Sequence, residues 1–273
     1  MADDGDWGSR MQRMRPVIES WVSRTSGQSQ DEDIHEGSSL AGDDRDFERF
    51  PVSNAVWHAL ITAVEHLDFF YVALSKSKAM YPAAYYTVLR AALLGSAQAV
   101  WILAPASRVE RRKRALITAI TDTNEQRKVI QSLPVSTDEE KDERDSYIEK
   151  LKERLEAATL AGGRLGFDES KVAAWSLNAT NVIEEAAKVG LDAEQRGYAM
   201  VLWRMSSGHV HGHAYTRLLQ LDRSLLTRRQ DGTLWGQATA TLDQVGAAAA
   251  AAWLMTRKGW ELYDQRRHNS RHP

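Results

Sequence analysis

The chain of 273 residues is 43% hydrophobic with a formal net charge of −2, a balance that supports a packed core and excludes wholesale disorder. It contains no cysteine, which excludes disulfides, thiolate metal sites and a cysteine nucleophile. The charge is uneven: residues 1–50 carry −6 and the remainder +4, with basic clusters at RVERRKR (108–114), RSLLTRR (223–229) and RRHNSRH (266–272). That pattern is compatible with a nucleic-acid partner and equally with solvated helix faces.

Residues 1–50 read as a weak amphipathic helix (Met11, Met14, Ile18, Trp21, Val22) followed by a Ser/Gly/Asp-rich linker. Such a stretch buries too little apolar surface to order itself alone, so a largely disordered acidic segment is expected. Its opening, MADDGDWGSR, lacks the apolar run of a secretory signal. Order is expected from Pro51, with Ser53 or Asn54 capping a helix through Leu74 whose stripe is Val56, Leu60, Ala63, Val64, Leu67 and Phe70. A second helix starts at Pro82 and stops before Pro105, carrying Val88, Leu89, Ala92, Leu93, Ser96 and Val100 on one side, with Gly95 a minor cost. Helices over 107–132 and 136–160 share a narrow seam (Ile148, Leu151, Leu155, Ala158) among charged faces, the pattern of a projecting helical hairpin.

A shorter helix follows over 178–189, and Asp192 caps one that runs through 195–220. LLTRRQDGTLWGQATA (225–240) alternates around Asp231-Gly232 and predicts a small β-hairpin. TLDQ (241–244) forms a capping box that opens an Ala-rich helix to Tyr263. The whole predicts an all-α fold, an antiparallel helical bundle of 54–74, 82–103, 195–220 and 241–263 with the hairpin inserted. Residues 51–265 form a single helical domain in this reading, and 266–273 a basic tail. The longest apolar runs, 92–104 and 245–255, fall short of the roughly 20 residues a bilayer needs, so a cytoplasmic protein without a membrane partner is expected.

Chemistry concentrates in WRMSSGHVHGHAYTRL (203–218). Wound as a helix, which Gly208 or Gly212 could instead end early, it puts Arg204, Ser207 and His211 on one face and turns His209 toward the apolar side with Tyr198, Val201, Leu202 and Met205. Arg204-x4-His209 and Arg204-x6-His211 resemble the arginine–histidine signature of HEPN (higher eukaryotes and prokaryotes nucleotide-binding) ribonucleases. That resemblance implies metal-independent RNA cleavage, which requires a base for the 2′-hydroxyl and a cation for the phosphate. An imidazole titrating near pH ~6.5 suits the first task, and a guanidinium, bidentate and permanently charged, suits the second. Arg204, Ser207 and His211 are therefore the candidate catalytic residues, with His66, Arg90 and His209 as second-tier candidates. A metal reading of His209, His211 and His213 requires a strand to put all three on one face and finds no acid nearby. Neither metal nor cofactor is expected. A Ser–His hydrolase lacks its G-x-S-x-G elbow, and AGGRLGF follows a helix rather than a strand, so it is not a phosphate loop.

The spacings Arg204-x4-His209 and Arg204-x6-His211 thus match the signature of the HEPN superfamily. WRMSSGHVHG resembles the YR-x-x-SG-x-VHG segment of HEPN-like proteins of actinobacteria. The likeness extends to GSSLAGDD (37–44), AVEHLDFF (63–70), LRAALLGSAQAVWILAP (89–105) and RVERRKRAL (108–116). Where such relatives often carry an acid after RAAL, this chain has Leu94. The resemblance implies a HEPN-like bundle and a defence or toxin-like endoribonuclease acting on RNA as a homodimer. Arg204 and His211 would sit about 10 Å apart along one helix, so a two-fold axis would bring one chain's arginine to the other's histidine. The alternative it implies is a non-catalytic module binding a protein or nucleotide, with a toxin–antitoxin or nucleotidyltransferase partner.

Overall fold

The computed structural model describes residues 7–27, 32–77, 80–221, 226–236 and 241–268. The protein is an all-α helical bundle with one two-stranded antiparallel sheet among the described residues. Its helices are α1 (Trp7–Thr25), α2 (Ser39–Asp44), α3 (Val52–Lys76), α4 (Pro82–Leu103), α5 (Arg108–Ser132), α6 (Asp138–Arg164), α7 (Glu169–Val172), α8 (Ala179–Gly190), α9 (Ala193–Val210), α10 (Ala214–Leu219) and α11 (Leu242–Arg267). Strands β1 (Thr227–Arg228) and β2 (Leu234–Trp235) pair in the register Thr227↔Trp235 and Arg228↔Leu234. Gly232 supplies the positive φ of +83° that the turn between them needs. Residues 225 and 237–240 of the expected hairpin lie outside the described residues, as do residues 222–224 before it.

Where one helical domain over 51–265 was expected, the chain forms two compact units. One comprises Met1–Asp33, His58–Val100 and Thr180–Leu262; the other comprises Ile34–Trp57, Trp101–Ala179 and Tyr263–Pro273.

In the first unit α3 and α4 run antiparallel, because Phe70 meets Tyr85 at one end (ring centroids 5.5 Å) while Gly95 meets Ala59 and Ala63 further along. The apolar stripes behind this are fully buried: Leu60, Ala63, Leu67 and Phe70 from α3, and Leu89, Ala92, Leu93 and Ala97 from α4. By length and composition Ala83–Leu103 could cross a membrane, which the shorter run over 92–104 taken alone could not; 67% of its most apolar window is buried inside the protein. Helix α11 packs on both, with Gly259 against Leu60 and Ala99.

Gly95 does more than tolerate its helix. A Cβ there would stand 2.7 Å from the Ala59 carbonyl oxygen and 3.1 Å from the Ala63 nitrogen. Alanine is the better helix former by about 1 kcal/mol, but rigid backbone opposite it cannot yield as a side-chain end would. We therefore expect Gly95→Ala to destabilise the protein by about 1–3 kcal/mol, the usual cost of overpacking, in chemical denaturation. A stabilised variant would show that α3 and α4 separate easily.

Residues 7–27 and 32–50 are built into the fold rather than forming the disordered segment expected, and residues 1–6 lie outside the described residues. Residues 28–31 of the expected linker lie outside the described residues. Met11, Ile18 and Trp21 of α1 are buried. Trp21 packs on Trp253 of α11 with ring centroids 5.9 Å apart, and Tyr71 of α3 donates a hydrogen bond to the Met14 sulfur at 3.1 Å. The weak stripe of α1 orders because distant helices complete it, which no local pattern can show.

In the second unit α5 and α6 form the expected helical hairpin, with α6 opened by a capping box between Thr137 and Glu140. The seam is broader than its sequence suggests. Leu116, Ile120, Ala158 and Ala161 share a core with Phe47 and Phe50 from the first fifty residues and with Val172 of α7. The hairpin is thus part of a compact unit rather than a bare projection. The expected tail is also partly built in. Arg266 donates to the carbonyls of Leu103 (2.6 Å) and Pro105 (3.0 Å), and Arg267 is buried and pairs with Asp264. Residues 269–273 of that tail lie outside the described residues.

Two segments that carried the family resemblance meet in this unit. Asp43 of GSSLAGDD is fully buried, and Arg111 of RVERRKRAL grips both its oxygens, Nε to Oδ2 at 2.5 Å and Nη2 to Oδ1 at 2.7 Å. The remaining Arg111 donors reach the carbonyls of Pro105 (2.9 Å) and Ala106 (2.7 Å) and the Ser39 hydroxyl (3.1 Å). Arg112 donates to the carbonyls of Gly42, Asp43 and Arg45. The basic cluster over 108–114 is therefore largely spent on internal partners.

Candidate functional site

Helix α9 begins as expected, on an Asp192–Gln195 capping box, but ends at Val210. Gly212 adopts φ +67°, its N–H meets the His209 carbonyl (3.2 Å), and the His213 N–H meets the Gly208 carbonyl (2.8 Å). This pair of bonds is a Schellman motif, which stops a helix wherever glycine can take the left-handed conformation. The continuous helix expected over 195–220 is thus two, α9 and α10. His211 is the C-cap of α9 rather than a residue of its face.

Arg204 and Ser207 line an open cleft of about 490 Å³, with Thr180 of α8, Trp203 and Tyr215. Arg204 is exposed, and its guanidinium makes no hydrogen bond or ion pair with any described residue, as is true of the Ser207 hydroxyl. Trp203 forms one wall, held by an indole N–H bond to the Thr180 hydroxyl at 3.0 Å. Tyr215 folds back across the break between the helices and donates its hydroxyl to the Arg204 carbonyl at 2.9 Å. It can do so because Gly208 lies beneath its ring, where a Cβ would collide with the Tyr215 hydroxyl and the Thr216 methyl.

His211 does not line this cleft. It is exposed, and its ring stands edge-on to that of His213 at 5.9 Å, which in turn stands edge-on to Tyr215 at 5.9 Å. A row of three aromatic rings thus leads from His211 to the cleft wall. Among the described residues no group of histidine and acidic side chains is arranged to hold a metal ion.

The second-tier residues are scattered. Arg90 lies over the Trp203 ring (4.3 Å to its centroid), behind the wall, with its Nε buried and unpartnered. His66 bonds the Thr62 carbonyl through Nδ1 at 2.8 Å and lines a different, more apolar cleft beside Phe69 and Val72. His209 is half-buried, its ring 5.5 Å from that of Tyr86 and its Nε2 buried without a hydrogen-bond partner. Burial, helped by the charge on Arg217, presses its pKa below the ordinary 6.5.

That shift has a definite sign. A histidine held neutral by the fold contributes stability that is complete above its unfolded pKa and is lost as pH falls through that value toward the folded one. Acidification from pH 7.5 into the range below 6.5 should therefore lower the melting temperature of the wild type more than that of His209→Phe, which keeps a ring against Tyr86. Parallel pH profiles for the two proteins would remove His209 from the explanation.

Sequence reasoning did not place Thr180, Trp203 or Tyr215 in the site, and weighed His213 only as a metal ligand. The available signal was Gly212: a glycine followed by a non-helical residue predicts the chain reversal that brings Tyr215 back. No protein-family model, curated protein or solved structure matches the chain.

Proposed function

We propose that the chain is a metal-independent endoribonuclease of the HEPN type, with the Arg204 cleft as its phosphate site. The observation that carries this reading is an exposed guanidinium and a serine hydroxyl in an open cleft, neither with a partner among the described residues, and two imidazoles close by on the same chain reversal. Arg204 grips the non-bridging phosphate oxygens as charge builds on them. His211 takes the proton of the 2′-hydroxyl, and the 2′-oxygen attacks phosphorus. The bond to the 5′-oxygen breaks, and that oxygen receives a proton, leaving a 2′,3′-cyclic phosphate and a 5′-hydroxyl. His213, its ring 5.9 Å from that of His211, supplies a second imidazole for the leaving group in this reading.

Because His211 stands outside the cleft that holds Arg204 within one chain, we propose that the working site is shared across a homodimer. The same fact also favours a second reading, a module that binds RNA or nucleotide at the cleft without cutting it. Incubating the purified protein with labelled RNA in EDTA tests both. Cyclic-phosphate products support the nuclease, whereas a retained but intact RNA supports the module.

A further inference from the structure

The second unit contains a cleft of about 620 Å³ between α5, α6 and α7. Its apolar lining includes Ile120 and Leu155; besides Thr159, whose hydroxyl is bonded to the Leu155 carbonyl, four polar side chains line it: Asn124, Arg127, Glu156 and Glu169. None of these four side chains makes a hydrogen bond or ion pair with any described residue. Most exposed charges in such helices are solvated and need no explanation. Arg127 is different, because its Nε is shut off from solvent and has no acceptor among the described residues. A buried donor left unsatisfied costs about 1–3 kcal/mol, and the same side chain lines a cleft that is also lined by two carboxylates that come within ion-pair range of nothing described. Neighbouring α5 and α6 side chains outside the cleft do pair locally, as in Lys128–Glu125 and Lys152–Glu149.

We propose that this cleft binds a small zwitterion with an apolar side chain, of the free α-amino acid class. A ligand carboxylate would meet the guanidinium fork of Arg127, a geometry that fork matches in two parallel bonds. Its ammonium would lie between Glu156 and Glu169, and its side chain would cover Ile120 and Leu155. Pockets of this size commonly combine an apolar lining with a few converging polar groups. The site is independent of the ribonuclease reading, since it shares no residue with the Arg204 cleft.

The test is calorimetric titration of the full chain with L-leucine, L-phenylalanine and L-methionine, each beside its N-acetyl and its carboxamide derivative. At least one free amino acid should saturate with a Kd of about 1 mM or tighter. Both blocked derivatives of that ligand should bind at least about tenfold more weakly, the loss expected when a buried charge partner is removed. Arg127→Met should abolish binding, and Arg127→Lys should weaken it because a point charge does not replace a planar fork. If Arg127→Met fails to fold by circular dichroism, the derivatives tested on the wild type decide alone. Failure of all three free amino acids to bind at about 10 mM, ten times that limit, or equal binding by the blocked forms, overturns the proposal.

Discussion

His211→Ala is expected to lower RNA cleavage by about 10²–10⁴-fold, the usual worth of a positioned acid or base, while leaving the melting temperature unchanged. The residue is exposed and caps α9 through its backbone, so its side chain carries no packing to lose. Arg204→Ala should fail comparably, and Arg204→Lys should also fail, because phosphate gripped by a fork is not held equally by a compact ammonium. A mixing experiment separates a shared site from a self-contained one. If each site draws Arg204 from one chain and His211 from its partner, equimolar Arg204→Ala and His211→Ala proteins re-assort into dimers of which half are mixed. Each mixed dimer keeps one intact site, so activity returns to about one quarter of wild type. Mixtures as inactive as their components would confine the chemistry to one chain, and full activity in His211→Ala alone would end the nuclease reading at this residue.

The largest effect on stability should come from Asp43. Its carboxylate is fully buried and Arg111 is only 3% exposed, so Asp43→Ala strands a guanidinium in the interior. Removing one partner of such a pair costs about 3–5 kcal/mol, to be read as a fall in the urea midpoint. The double variant Asp43→Leu, Arg111→Met should recover part of that loss, since an apolar pair of similar volume is often as stable as the ion pair it replaces. Recovery will be incomplete because Arg111 also satisfies the carbonyls of Pro105 and Ala106. A single variant as stable as wild type would mean that water reaches Arg111 readily.

Long periodic helices were legible in the sequence because they signal themselves locally. The stripes of α3 and α4 and the capping boxes of α6, α9 and α11 all stand where pattern and propensity agree. Features that depend on remote partners were not. The stripe of α1 was visible, but its burial by Trp253 and Tyr71 was not. Arg266 and Arg111 read as surface charges until the carbonyls and carboxylate they satisfy are seen. At the site, Arg204 and Ser207 do share a face, since both lie within α9. Extending that face to His211 assumed one more helical turn, and a single glycine with φ +67° removed it.

Each compact unit is assembled from three separate stretches of chain, and this bears on how the protein comes into being. The His35 N–H bonds the Arg267 carbonyl at 2.9 Å, and the two imidazoles His35 and His268 meet edge-on at 4.8 Å. A growing polypeptide must therefore leave the segment around His35 without these partners until residues 267 and 268 have been made. Such distant pairings raise the contact order and slow the search for the native state. A serial truncation from the far end should thus lose the fold abruptly near Arg266, rather than shedding it piece by piece. A nascent chain cannot acquire the completed molecule's architecture one unit at a time.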